Sequence, residues 1–298
     1  MDYLECYRKA GKIASEVRKN SKTENHVGRS LFEICESVEY DIKRLGGTPA
    51  FPVNVSLNDI AAHYTAEPND TITVKDGDVV KIDIGVHVDG FIADTAVTVC
   101  YNPKYDALVR TAELALDGAI RIAKANTSAS DIGKVIESNI SQHGFRPIQN
   151  LSGHSLEQFK IHAGKSIPNI RTIGPSIVLA ANHAYAIEPF LTTKDGQGVV
   201  YEGKTCNIFS VISRKPLKEK HANDFLEDIW NRYKTLPFSA RWLTNEYEIN
   251  EIMVLIDTLR RKRNLHGYPI LVEGNSKVVA QAEHTLIPSY NGTDVITL

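Results

Sequence analysis

Apolar and polar residues alternate from Val79 to Val99 (VVKIDIGVHVDGFIADTAVTV), with Asp89-Gly90 between two β-branched runs. An Asp-Gly pair flanked by such alternation is a strong hairpin signal. A two-residue turn there sets Val88 opposite Phe91, Asp83 opposite Ala96 and Asp94 opposite Gly85. Paired residues share a face, so both carboxylates are expected on one face as diagonal neighbours, roughly 7–8 Å apart at Cβ. Elsewhere the period is helical. Leu4, Tyr7, Ala14 and Val17 predict a helix over Tyr3–Lys19. Val27, Leu31, Ile34, Val38, Ile42 and Leu45 predict a second, stopped by Gly46-Gly47. Tyr105–Ala125 and Ser130–His143 read as two further helices. Leu151–Ile170 is irregular and polar, and His183–Phe190, Val199–Ile212 and Lys277–Ile287 read as strands.

This order is helix, helix, strands, helix, helix, strands. Regular βαβα alternation is absent, which predicts an α+β chain with antiparallel sheet and two structurally similar halves. The chain is expected to form one domain over 1–298. Within it, residues 214–265 change character: Phe225, Leu226, Ile229, Trp230 and Tyr233 fit one helix, and Ile249, Ile252, Met253, Ile256 and Leu259 another. They read as a helical insertion in the strand-rich second half.

Composition narrows the classes. The 298 residues are 42% hydrophobic and 23% charged, within the globular range. A net charge of −2 supplies no broad basic field for nucleic acid or acidic membranes. Cys6, Cys35, Cys100 and Cys206 form no CxxC pair and read as thiols of a reducing compartment. The first residues lack an apolar signal-peptide core, and no apolar run is long enough to span a bilayer. The expected location is the cytoplasm.

Four acidic residues interrupt apolar strand text: Asp83, Asp94, Glu188 and Glu283. Each alone reads as an ordinary surface or ion-paired residue. If they converge without a cation, each close pair repels by roughly 4 kcal/mol at about 4 Å and an effective dielectric near 20. Two divalent cations would balance them. Carboxylates with one imidazole suit Mn, Fe, Co or Zn better than a thiolate site does.

The stretches IDIGVHVDGFIADTAVTV, LSGHSLEQFKIHAGKSIPN, AIEPF and AQAEHT closely resemble the methionine aminopeptidases, specifically the type 2 branch in its short archaeal form. The long interval between Glu188 and Glu283 has room for that branch's helical insertion. The resemblance implies a pita-bread fold of two pseudo-symmetric halves. It implies two divalent metal cations (Co, Mn, Fe or Zn) held by Asp83, Asp94, His154, Glu188 and Glu283. It makes Glu188 the acceptor of the attacking water's proton, His162 a donor to the scissile carbonyl, and His63 a contact to the substrate backbone. The methionine pocket would comprise Phe51, Pro52, Asn54, Ile161 and Tyr268, although Phe51-Pro52 reads equally as a rigid turn beside the core. Ile208 stands where some relatives carry histidine, which leaves the pocket's polarity open. His87, His183 and His284 match no ligand position. The implied reaction removes the initiator methionine when the next residue is small. The implied partners are nascent polypeptide N-termini close to the ribosome, met by a monomer. Two alternatives share the fold: a proline-specific peptidase, and a binding protein without catalysis.

Overall fold

A computed structural model of the chain describes residues 2–298. The chain opens with α1 (Tyr3–Thr23) and α2 (Leu31–Arg44). α2 starts later than the apolar spacing suggests, because Ser30 and Glu33 form a capping box that satisfies the first free N–H groups. Val27 is left outside the helix and exposed. Short strands β1 (Thr48–Pro49), β2 (Asn54–Leu57) and β3 (Ile60–Ala62) lead into the long hairpin of β4 (Val79–Val88) and β5 (Phe91–Cys100). Its register is the expected one, with Asp83 against Ala96, Asp94 against Gly85 and Val88 against Phe91. Asp89 and Gly90 both take positive φ, 52° and 85°, as the favoured two-residue turn requires. α1 lies across the hairpin, and Tyr7, Ala10, Ala14 and Val17 share a core with Ile82, Ile84, Val86 and Ile92.

The second half repeats the plan with α3 (Asp106–Ile122) and α4 (Ala129–Gln142). There follow β6 (Arg146–Pro147), β7 (Ser152–Leu156), β8 (Ser166–Pro168), β9 (Ala184–Ile187), β10 (Phe190–Thr192) and β11 (Val200–Val211). After α5 (Lys220–Tyr233) and α6 (Ile249–Arg261) come β12 (Leu265–Glu273), β13 (Val279–Gln281), β14 (His284–Ser289) and β15 (Gly292–Val295). An antiparallel sheet in the order β15-β14-β9-β7-β8 backs this half. α3 and α4 share its core through Leu108, Ala112, Ile132 and Ile136 with Tyr185 and Leu286. α5, α6 and a 3₁₀ turn at Ala240–Leu243 enclose a separate core with Phe209 and Val211 of β11.

The strands depart from the sequence pattern in three places. The stretch read as irregular holds β7 and β8, because β7 (SGHSL) is a central strand whose small and polar residues carry no alternation. β12 carries no strand signal in the sequence, because Gly267 and Pro269 interrupt it. Pro269 sits opposite Cys206 between two register shifts, where a missing ladder donor is tolerated. The last predicted strand is two strands, broken at Ala282-Glu283.

The halves meet where β5 faces this break. Few ladder bonds cross it; hydroxyls do instead. Thr95 Oγ1 donates to the Glu283 carbonyl (2.7 Å), Thr98 Oγ1 to that of Gln281 (2.6 Å), and Thr285 Oγ1 to that of Asp94 (2.8 Å). Among the described residues, no helix is long and apolar enough to cross a membrane.

Candidate active site

Strand pairing builds a row of residues across both halves. Asn54 on β2 pairs with Asp83 on β4, Asp83 with Ala96 on β5, and Ala96 bridges to Glu283. Asp94, two residues before Ala96, shares that face. His154 enters from β7, whose Cα partner there is Ala186; Glu188 follows directly after β9. Atoms of Asp94, His154 and Glu283 lie within 4.8 Å of one another. His154 Nε2 lies 3.4 Å from Glu188 Oε1 and 3.7 Å from Asp94 Oδ2. Gln281 Nε2 is a distant donor to both Asp83 (3.5 Å) and Glu283 (3.4 Å).

No lysine or arginine pairs with this cluster among the described residues. Asp83 Oδ1, Asp94 Oδ1 and Glu283 Oε1 are buried without a hydrogen-bond partner. Burial, then the charge of a neighbouring carboxylate (Asp83 beside Asp94, Asp94 beside Glu283), pushes both carboxyls well above the usual range, and burial followed by Asp83 does the same to Glu188. Burial lifts Asp83 to about 7. Burial, reinforced by His162, holds His154 low, so its imidazole is neutral and able to coordinate. Unpartnered carboxylate oxygens around a neutral imidazole fit divalent cations of the Mn, Fe, Co or Zn kind.

Above the cluster lies a cavity of about 350 Å³. Phe51, Asn54, Ile161, Ile208, Phe190, Pro237 and Tyr268 line it, with His63 and His162 at its wall. Pro52, expected in the pocket, is not on the cavity wall; its carbonyl instead accepts from Asn54 Nδ2 at 2.8 Å. Glu283 lies off the wall too, on the far side of the cluster, among the residues of a separate cavity with Gln281 and Thr98. Phe190, two residues past Glu188, had a legible signal in that strand spacing. Pro237 had none, since it reaches the cavity only through the packing of the helical segment.

His63 sits just after β3 at φ 64°, a conformation that costs a non-glycine residue about 1–3 kcal/mol and that clusters at functional sites. Its Nδ1–H donates to the Pro269 carbonyl (3.2 Å), which leaves Nε2 as an acceptor. Burial, then His162, lowers it to about 4, so the ring is neutral. The His162 ring stands edge-on to His154 with centroids 4.5 Å apart, and burial also holds it below its usual range. The hairpin tip carries this loop: Phe159 N–H donates to the Gly90 carbonyl (2.8 Å) and Gln158 Nε2 to that of Asp89 (2.8 Å). Tyr268 pairs with Ile208 across β11 and β12, and its hydroxyl lies 3.2 Å from Ser210 Oγ.

Residues 5–208 match the Metallopeptidase family M24, and the chain belongs to that family. It is 44% identical over 288 residues to a methionine aminopeptidase of Pyrococcus horikoshii, covering 97% of each chain. These figures place it with the methionine aminopeptidases of M24. Among solved structures it resembles a thermophilic Arx1 (TM-score 0.84, 16% identity, 99% of this chain and 90% of that one). It also resembles the methionine aminopeptidase of Rickettsia prowazekii (TM-score 0.70, 19% identity, 99% and 97%). At such identities the likeness concerns the fold, which is the pita-bread fold.

Proposed function

We propose that this chain is a type 2 methionine aminopeptidase, hydrolysing the initiator methionine from nascent polypeptides whose second residue is small. The observation that carries this reading is the convergence of Asp94, His154 and Glu283, from three distant stretches of chain, beneath an apolar cavity. The helical segment 214–265, read as an insertion within a single catalytic domain 1–298, supports the type 2 assignment. We assign the chain to the cytoplasm as a monomer acting near the ribosome, where its substrates emerge.

Asp83, Asp94, His154, Glu188 and Glu283 would hold two divalent cations. Bound there, such ions acidify water and polarise a carbonyl. Glu188, beside His154 at the edge of the cavity, accepts the proton of the attacking water and passes it to the leaving amine. His162 donates to the scissile carbonyl oxygen as negative charge develops on it. His63, neutral with Nε2 free, accepts a backbone N–H of the substrate near the cleaved bond. Phe51, Ile161, Ile208, Phe190 and Tyr268 surround the methionine side chain, and Asn54 contributes a polar edge.

Hydrolysis of Met-Ala-Ser and Ala-Pro-Ala by the Mn-loaded protein tests the assignment. Methionine release from the first is expected. Preferential cleavage of the second would make the chain a proline-specific peptidase. No Mn or Co binding by calorimetry would favour a binding protein without catalysis.

A further inference from the structure

Arg241 lies in the 3₁₀ turn of the helical segment, with its side chain 2% exposed. Its guanidinium forms a fork with Glu39 of α2: Nη1 to Oε2 and Nη2 to Oε1, both 2.8 Å. Glu36, at the surface end, also accepts from Nη1. Trp242 Nε1 donates to Glu39 Oε2 at 2.7 Å. A buried ion pair seldom adds net stability, since desolvation offsets the attraction and apolar residues of equal volume serve as well. What this pair touches is therefore more informative than its strength.

Three separate stretches of the cavity wall hang from it. Glu39 Oε1 accepts from the Val53 N–H (3.1 Å), between Phe51 and Asn54 of the wall. Arg241 Nη2 donates to Thr65 Oγ1 (3.3 Å) and Nε to the Ala66 carbonyl (3.3 Å), just beyond His63. Thr65 Oγ1 in turn donates to the Val53 carbonyl (2.8 Å), closing a loop between the two stretches. The third is the turn's own lead-in. Pro237 lines the cavity, and Phe238 exchanges two backbone hydrogen bonds (2.8 and 2.7 Å) with Phe209, next to the lining residue Ile208.

We propose that Glu39 and Arg241 are a positioning pair for substrate selection: their buried fork sets the spacing between the Phe51–Asn54 wall, His63 and the Pro237 wall. This rests on the peptidase reading above and adds to it a specificity determinant that never touches substrate. The guanidinium's planar fork is the feature used, because a lysine retains the charge but cannot bridge both carboxylate oxygens while reaching Thr65 and Ala66. Loss of the fork lets the three walls drift apart, and misplacement by about 1 Å costs up to about 10²-fold in an enzyme cavity. Asp83, Asp94, His154, Glu188 and Glu283 make no contact with the fork itself, so Mn binding should hold.

The test compares wild type, Arg241→Lys and Trp242→Phe, all loaded with Mn. Trp242→Phe removes one donor to Glu39 and is mild enough to fold. For Arg241→Lys, KM for Met-Ala-Ser rises about tenfold or more and kcat falls far less. Discrimination between Met-Ala-Ser and Met-Val-Ser narrows, and Mn stoichiometry is unchanged. Trp242→Phe shifts the same quantities in the same direction by about threefold. Calorimetric binding of free methionine, which needs no turnover, weakens in parallel. Wild-type KM, second-residue preference and methionine affinity in both variants, whatever their melting temperatures, overturn the proposal. A wild-type chain that neither cleaves Met-Ala-Ser nor binds methionine strikes the peptidase reading instead.

Discussion

Gly85 tests the link between the hairpin and the substrate cavity. It pairs with Asp94 across the hairpin, and the Phe51 ring lies directly on it. A Cβ added there falls 2.2 Å from Cε1, 2.4 Å from Cδ1 and 2.8 Å from Cζ of Phe51. Ordinary contact begins at 3.4 Å, so in Gly85→Ala the ring must retreat by more than 1 Å. Phe51 is only 7% exposed, and its open side is the cavity. Overpacking of this kind costs about 1–3 kcal/mol. At roughly 2–4 °C per kcal/mol for a chain somewhat smaller than this one, the melting temperature falls by several degrees. The ring then takes up room in the cavity that is proposed to hold the methionine side chain. A misfit of about one methylene is worth about 1–3 kcal/mol, or 10–200-fold, in an apolar pocket. KM for Met-Ala-Ser should therefore rise at least about tenfold, with Mn affinity by calorimetry retained, because no ligand is replaced. Adding Phe51→Leu to Gly85→Ala should recover much of the lost melting temperature. Wild-type KM and melting temperature in Gly85→Ala would refute the claim that Phe51 is held between hairpin and cavity.

Other outcomes follow from the same geometry. Glu188→Gln should leave a folded protein with kcat lowered by about 10²-fold or more, the usual worth of a general base; near-normal turnover excludes it as the proton acceptor. His162→Ala should lower kcat while both metal affinities hold, and a metal site emptied by that change would make His162 a ligand. His63 is depressed from 6.5 in the free side chain to about 4 in the folded chain. Its contribution to stability is therefore fully present above pH 6.5 and is lost as pH falls through about 4. NMR titration should find its ring neutral at pH 6, and a midpoint near 6.5 contradicts the burial argument. Stripping divalent ions with a chelator should abolish hydrolysis and lower the melting temperature at pH 7.5, since the carboxylates then face one another uncompensated. Restoration by Mn checks this, and an unchanged melting temperature counts against a cation-filled cluster.

The sequence alone determined the local elements and the chemistry they carry. Alternation and Asp89-Gly90 specify the β4–β5 hairpin and its register, because side-chain direction in a strand has period two and the turn type sets the pairing. Acidic residues inside apolar strand text were conspicuous because burying a carboxylate is costly unless something compensates it. Where motifs were short, the text was silent or misleading. β7 and β12 lack alternation, since a central strand and a bulged one owe their place to neighbours rather than to their own pattern. Only tertiary structure decided that Glu283 bridges to Ala96, that Phe190 and Pro237 line the cavity while Pro52 does not, and that Glu39 meets Arg241. Each of these depends on where a distant segment packs, and no local periodicity encodes a contact between residues separated by most of the chain.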